Sequence, residues 1–470
     1  MLNKTGLILS VIYLIVLQSV AYAQAPDTLW TKTYGYPDGI DECWEAVATP
    51  DDGLAIVGSS TQLGNLIRLY VVRINSDGDT LWTRTYADYS EGRAICMTSD
   101  LGFILSGVII TYDALAYIIK IDSLGNEVWS RVYETWGDGA FRSCQAVGND
   151  GYVLAGYAYT GEMLLVRIDS AGDTLWSRVY GGPQPDRAWS AKPTSDGGFI
   201  VAGWTESFGN GLSDFYIIKT DQNGDSLWAR TFGGQWNEEA RDIIETGDGG
   251  FLFCGKRSIN YNDPDYYLMK IDSQGDSLWA HYYRDWFPEY HGVIHSLSPT
   301  LNGGYGLIGY NVRSDIIVLK TNNNGDSLWA ISFIDDPSVR FKSRSIIQSQ
   351  DGSYFLCGYY QDIWVVKLAP DITGIEDEIV ILPDQITLHQ NYPNPFNANT
   401  TISFTLSDPQ NVVLSIYDLL GRKVSVLADG YYDPGIHNIT FDAGDLTSGI
   451  YFYNLKVKDI SETKSMILLK

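Results

Sequence analysis

Gly275-Asp-Ser-Leu-Trp279 is one copy of a phrase that recurs along the front of the chain, as Asp27-Thr-Leu-Trp30, Gly78-Asp-Thr-Leu-Trp82, Gly125-Asn-Glu-Val-Trp129, Gly172-Asp-Thr-Leu-Trp176, Gly224-Asp-Ser-Leu-Trp228 and Gly325-Asp-Ser-Leu-Trp329. Successive tryptophans stand 52, 47, 47, 52, 51 and 50 residues apart. A period of that length holds one four-stranded sheet, the size of a propeller blade rather than of a short solenoid turn. Within the unit, an alternating stretch from Arg241 reaches the turn Gly247-Asp-Gly-Gly250, and Phe251-Leu-Phe-Cys-Gly255 runs back. A third strand, Asp265-Tyr-Tyr-Leu-Met-Lys270, leads through Asp272-Ser-Gln-Gly-Asp276 into the tryptophan strand. Helical periodicity is absent from the unit.

The order of the pieces predicts closure. The chain opens on a lone tryptophan strand at 27–34, and its last unit, ending Ile363-Trp-Val-Val-Lys-Leu368, has none after it. If the first strand completes the last sheet, no open edge remains to invite aggregation. The expected fold class is therefore all-β: a seven-bladed β-propeller over residues 24–369, then a linker over 370–381. Residues 382–470 alternate in short strands split by Gly and Asp turns, as in a small Ig-like β-sandwich. Every unit closes its third strand with a cation: Arg73, Lys120, Arg167, Lys219, Lys270, Lys320 and Lys367. This side chain is expected to lie over the sheet, its charge in solvent or paired to a carboxylate. The repeated tryptophans are assigned to packing between blades.

Composition narrows the function classes. Lys4, the apolar run 7–17 and Ala21-Tyr22-Ala23 read as a signal peptide over residues 1–23, with Gln24 starting the mature chain. No second apolar run follows, so no transmembrane span is expected. A net charge of −25 without basic runs excludes nucleic acid and anionic membranes as partners. Five scattered cysteines are an odd number, which suits buried thiols rather than a disulfide framework. The five histidines show no metal-ligand spacing and no nucleophile sits in a recognisable elbow, so no catalytic residue, metal or cofactor is assigned. The Asp272-to-Asp276 type of turn is read as a hairpin turn rather than a calcium loop.

Four motifs near the carboxyl end occur in order: Tyr392-Pro-Asn-Pro-Phe-Asn397, Leu419-Leu-Gly-Arg-Lys-Val424, Ser448-Gly-Ile-Tyr-Phe452 and Lys464-Ser-Met-Ile-Leu-Leu-Lys470. Together they resemble the carboxyl-terminal sorting domain of type IX secretion cargo, of the type A kind. The residues that carry the resemblance are Tyr392, Pro393, Asn394, Pro395, Phe396, Asn397, Gly421, Gly449, Tyr451, Lys464 and Lys470. It implies export to the periplasm by the signal peptide, then passage across the outer membrane by type IX machinery that engages residues 382–470. The product is secreted or held at the outer cell surface, commonly with the domain removed and the remainder attached to lipopolysaccharide. The repeat region is similar to secreted bacterial propellers fused to such domains, which implies a fold and no activity. Sialidase-like propellers place a glycine three residues before tryptophan, and here it stands four before. Thr80, Thr174, Ser226, Ser277 and Ser327 resemble acceptors of bacterial O-glycosylation.

Two sets of side chains could meet a ligand. Five residues before the position of Thr246, each unit offers Trp44, Arg93, Arg142, Trp189, Arg241, His295 or Arg344. These are expected to ring a channel mouth, where guanidinium groups could grip a carboxylate, sulfate or sugar hydroxyl and indoles could stack. The alternative is that Glu91, Asp186 and Glu239 pair with the arginines as struts between blades. Tyr36, Tyr89, Trp136, Trp236 and Trp286 follow the blade tryptophans in the next loops and suit stacking on sugar rings, or packing beneath the loop. The expected function is a monomeric, non-catalytic binding module for glycan or protein. Its rivals are a polysaccharide-degrading glycosidase or lyase on the same face, with Glu238, Glu239 and Glu289 as acids, and a structural or adhesion component.

Overall fold

The structure, a computed structural model, describes residues 25–371 and 387–468 apart from short interruptions, the longest being 134–140, 284–291 and 335–340, together with Tyr13 and Leu14. Apart from that pair, the expected signal peptide lies outside the described residues. The chain divides into two compact units, residues 1–374 and 375–470.

In the first unit the repeat folds as antiparallel sheets. The stretch read above gives Glu238–Glu245, Phe251–Ser258, Pro264–Ile271 and Ser277–Tyr282, paired in that order. The same meander recurs from Asp41–Ala48, Ser90–Met97, Phe141–Ala146, Asp186–Pro193 and Gly292–Pro299. One more sheet joins the two ends of the repeat region, since Thr28–Tyr34 pairs with Asp362–Leu368 beside Tyr354–Tyr360 and Lys342–Gln348. The lone first strand thus supplies the strand that the last unit lacks. The first strand of each sheet packs on that of the next, and Lys342–Gln348 packs on Asp41–Ala48. Apolar clusters fill the spaces between neighbouring sheets, as where Leu252, Cys254 and Leu268 meet Ile294, Leu307 and Leu319. No helix occurs among the described residues.

The repeated phrase explains how neighbours are joined. Gly78 has φ +75°, and a Cβ there would lie 2.7 Å from the Trp30 ring of the preceding sheet. Only glycine both adopts that backbone and admits the indole. The next five phrase glycines meet the preceding tryptophan in the same way. Hydrogen bonds follow the same joint: Trp82 Nε1 donates to Ser123 O at 3.1 Å and Tyr86 Oη to Gly125 O at 2.6 Å. At the remaining joint the chain ends replace the turn. Ala369 N donates to Asp27 O at 2.8 Å, Tyr354 Oη donates to Asp371 at 2.9 Å, and Trp329 is 2% exposed.

Of the two places expected for the cation of each third strand, solvent or a carboxylate partner, most take the second, and they do so largely buried. Arg73, Arg167, Lys219, Lys270, Lys320 and Lys367 are buried. Most reach an aspartate of the preceding Gly-rich turn: Lys120 to Asp100 at 2.7 Å, Lys219 to Asp196 at 2.8 Å and Lys270 to Asp248 at 2.6 Å. Lys320, which meets Asn302 instead, donates to its Oδ1 at 2.7 Å. The Lys120 and Lys270 hydrogen bonds, with those of Thr98 and Thr246, hold Asp100 and Asp248 down to about 2. Folded-state values below the unfolded ~3.9 mean that these carboxylates stabilise the fold fully above about pH 4 and stop doing so as pH falls through about 2. Stability is therefore expected to decline from pH 4 to pH 2, and Asp248→Asn should flatten the decline in acid melts followed by tryptophan fluorescence.

All five cysteines are unpaired and buried. In the second unit, Thr387–Leu388, Asn399–Leu406 and Gly435–Asp442 form one sheet. A second contains Lys423–Tyr432, Gln410–Tyr417, Gly449–Val457 and Ile460–Leu468. Ile402, Phe404 and Phe441 from the first share one core with Leu414, Ile416, Tyr453 and Met466 from the second.

Candidate functional site

The innermost strand of each sheet in the first unit carries the same irregularity. Its pairing with the second strand skips one residue, between Cys43 and Glu45, Gly92 and Ala94, Phe141 and Ser143, Ala188 and Ser190, Ala240 and Asp242, Ile294 and Ser296, and Ser343 and Ser345. The skipped residues are Trp44, Arg93, Arg142, Trp189, Arg241, His295 and Arg344. Each ring residue picked out by spacing is thus the extra residue of a β-bulge, a device that re-aims a side chain. The strand across the pair leaves room for it. A Cβ on Gly255 would lie 2.0 Å from Glu239 O, and the equivalent glycines at 58, 107, 203, 309 and 358 face the same kind of collision.

The bulges bring all seven residues to one cavity of about 80 Å³. Arg93 and Arg344 stack on the Trp44 ring at 3.8 and 4.1 Å from its centroid, and Arg142 lies 5.5 Å from the same ring. Trp189 takes Arg241 at 3.9 Å and Arg142 at 4.7 Å. His295 stacks on Tyr310 at 5.0 Å. Burial, then repulsion from Arg93, lowers Arg142 to about 10. Burial, then Arg241 and Arg344, lowers His295 well below its ordinary value, so it is neutral at physiological pH.

The acids foreseen as struts behave differently from one another. Glu91 pairs with Arg93 and Glu239 with Arg241, in both cases two residues back on the same strand, while Lys256 also reaches Glu239 at 2.7 Å. The links between sheets are instead the indole–guanidinium stacks. Asp186 accepts from Gly182 N and Ser207 Oγ, each at 2.8 Å, and meets no ring arginine among the described residues.

Because the bulge lets two consecutive residues face inward, a second set lines the cavity that spacing alone did not reveal: Glu45, Ser143, Ser190, Asp242, Ser296 and Ser345, with Lys192. Several of these lace one sheet to the next. Ser345 Oγ accepts from Ala46 N at 3.1 Å, Glu45 from Ile95 N at 2.9 Å, Ser143 Oγ from Ala191 N at 3.2 Å and Asp242 from Leu297 N at 3.2 Å. Burial pushes Glu45 up to about 7 against the pull of Lys192.

The loop aromatics are not equivalent. Tyr36 is half-buried and packs on Tyr70 at 5.2 Å. Tyr89 is 54% exposed, and Trp236 is half-buried. Trp136, Trp286 and Glu289 lie outside the described residues. Glu238 is buried and accepts from Gly234 N at 2.8 Å. Thr80, Thr174, Ser226 and Ser277 are exposed and Ser327 half-buried. Among the described residues, no cluster of three or more His, Cys, Asp or Glu could hold a metal ion.

In the second unit the motif residues knit the strands together. Asn394 Oδ1 accepts from Ile467 N at 2.8 Å, and Phe396 N donates to Ile467 O at 2.9 Å. The Phe396 ring is buried edge-on to Phe441. Gly421 turns at φ +75°, Gly449 pairs with Leu468, Tyr451 Oη donates to Thr447 O at 2.9 Å, and Lys464 pairs with Tyr453. Asn397 is exposed, while Tyr392, Pro393, Pro395 and Lys470 lie outside the described residues.

Residues 390–469 match the family described as the secretion system C-terminal sorting domain. No curated protein matches the chain. Among solved structures, the WD40 domain of Neurospora crassa Pan2 is 11% identical, with a TM-score of 0.51 over 76% of this chain and 100% of that one. A protein of unknown function from Bacteroides caccae is 17% identical, with a TM-score of 0.37 over 53% of this chain and 84% of that one. PorZ, a surface component of the type IX secretion system of Porphyromonas gingivalis, is 9% identical, with a TM-score of 0.37 over 89% of this chain and 69% of that one. The Pan2 likeness speaks for a propeller-like fold alone. The match of residues 390–469 to the sorting domains of type IX secretion indicates delivery of this all-β chain, with its propeller-like front, to the cell surface or the extracellular space.

Proposed function

We propose that this chain is an exported seven-bladed β-propeller that binds a glycan or protein without turning it over, followed by an Ig-like sandwich that serves delivery. Residues 1–23 act as the signal peptide, 24–369 form the monomeric propeller, 370–381 link, and 382–470 engage the secretion machinery before removal and lipopolysaccharide attachment. The observation that carries the non-catalytic reading is the filled axis. A cavity of about 80 Å³ is far below the ~300–1,000 Å³ of small-molecule sites. Its two acids are also occupied, Glu45 by the Ile95 amide and Asp242 by the Leu297 amide and the Ser190 hydroxyl. A polymer would therefore lie across the channel face, with Tyr89 and Trp236 as stacking surfaces and the ring residues beneath.

The test is a glycan and polysaccharide array probed with the mature chain from residue 24, beside Tyr89→Ala and Trp236→Ala. Binding that weakens at least tenfold in the variants, with no shortened product, is expected. Release of oligosaccharide from any bound polymer would replace this reading by the glycosidase or lyase one.

A further inference from the structure

The hydrogen-bond accounting of the channel does not close. Trp44 Nε1, Arg93 Nε, Trp189 Nε1, Arg241 Nε, His295 Nε2 and Arg344 Nε are shielded from solvent and meet no acceptor among the described residues. Buried polar groups almost always have partners, and orphaned ones each cost roughly 1–3 kcal/mol. All six line one cavity. Indole and guanidinium nitrogens can only donate, and neutral imidazole offers one donor, so the wall is rich in donors.

Charge is biased the same way. Of the four ring arginines, Arg93 and Arg241 have carboxylate partners, while Arg142 and Arg344 have no ion pair among the described residues. Arg344 donates to the neutral Tyr359 hydroxyl, at 3.4 Å. The carboxylates of the second set offset this only in part, because Lys192 stands 3.8 Å from Asp242 and burial pushes Glu45 up to about 7. Arg93, Arg142 and Arg344 all converge on one indole, at 3.8, 5.5 and 4.1 Å. Glu91 answers Arg93 among these, which leaves Arg142 and Arg344 to repel one another unless a further anion lies between them.

We infer that the channel binds one tetrahedral oxyanion, a sulfate or phosphate group, held by Arg142 and Arg344 with the N–H groups of Trp44 and Arg93. A cavity of about 80 Å³ admits an ion or a single charged substituent and excludes a sugar ring. Donors arranged around a ring suit four oxygens better than the two of a carboxylate. The inference rests on reading the ring as a ligand face, and deepens it by naming the charge that the face selects.

The experiment measures the thermal midpoint of the mature chain in sodium sulfate or inorganic phosphate, with sodium chloride holding ionic strength constant. Methyl sulfate and methyl phosphate are tested in parallel. A saturable rise is expected for the oxyanions over chloride, with the half-saturating concentration at least tenfold higher in Arg142→Gln and Arg344→Lys. Arg84→Gln, on an outer strand, should behave as the parent. If the arginine variants do not fold, Trp44→Phe keeps the ring and removes one donor, and should weaken binding severalfold. Saturation by the esters would point to a charged substituent of a larger ligand, and saturation by the free ions alone to a resident ion, both supporting the site. A linear, non-saturating rise that is equal in parent and Arg142→Gln is the general salting effect of sulfate and would overturn it. Because no glycan takes part, a blank glycan array leaves this result standing, and a failed ion titration leaves loop-face binding standing.

Discussion

Gly255→Ala is expected to destabilise the chain by ~3 kcal/mol, the upper range for forcing an atom into a packed site. The added methyl would lie 2.0 Å from the Glu239 carbonyl, a backbone atom that cannot swing aside. The fold can relieve the contact only by prising the innermost strand from its neighbour or by erasing the bulge. Either route moves Arg241, so loss of oxyanion response should accompany the loss of stability. Gly247→Ala is the matched control, since a Cβ there meets nothing within 4 Å. It should stay within ~0.5 kcal/mol of the parent. Urea midpoints followed by tryptophan fluorescence decide the matter, and equal shifts for the two variants would refute the role given to the bulge.

A chain that starts at residue 36 is expected to associate or precipitate where one that starts at residue 24 does not. Removing Thr28–Tyr34 strips Asp362–Leu368 of its partner and uncovers Phe355, against which Trp30 packs at 5.9 Å. An unpaired strand beside an exposed apolar face recruits other chains. Size-exclusion chromatography with light scattering should show oligomers or precipitate, and a synthetic peptide of residues 25–35 should restore the monomer by adding the strand in trans. An undiminished monomer peak with an unchanged melting temperature would mean that this strand does not hold the sheets together.

The organisation into sheets was legible because the joint between neighbours needs a fixed pair, a tryptophan on one sheet and a left-handed glycine on the next, and that pair recurs at an even period. The ring residues were legible by the same counting. What counting could not show was their geometry. The stretch from Arg241 to Glu245 reads as plain alternation, and one extra residue leaves no trace in so short a strand. The trace lay on the neighbouring strand, in the glycine of Phe251-Leu-Phe-Cys-Gly255. Asp248 and Lys270 were read separately because they stand 22 residues apart, yet the hairpin folds them into contact at 2.6 Å. Asp186 and Arg187 adjoin in sequence, but Asp186 is turned to Gly182 and Ser207 while Arg187 lies 4.5 Å from the Tyr157 ring. Neighbours on a strand face opposite ways, so adjacency misleads where a repeat does not. The sorting motifs were readable as words, and their buried seats, such as Phe396 against Phe441, show why several are apolar or glycine.

The five enclosed thiols carry a consequence for chemistry outside the cell. The sorting domain sends this chain to the surface or beyond it, where oxidants are plentiful and thiols ordinarily couple. Cys43 is pushed up to about 12 by burial, and Cys144, Cys254 and Cys357 are raised well above their ordinary value, so almost none of the reactive thiolate form exists once the sheets have assembled. Assembly therefore shields Cys43, Cys144, Cys254 and Cys357 from thiolate chemistry, and a chain that lingers unfolded exposes them to cross-linking. Folding and oxidation thus compete during export, and burial withdraws the cysteines from that competition only once the sheets have closed over them.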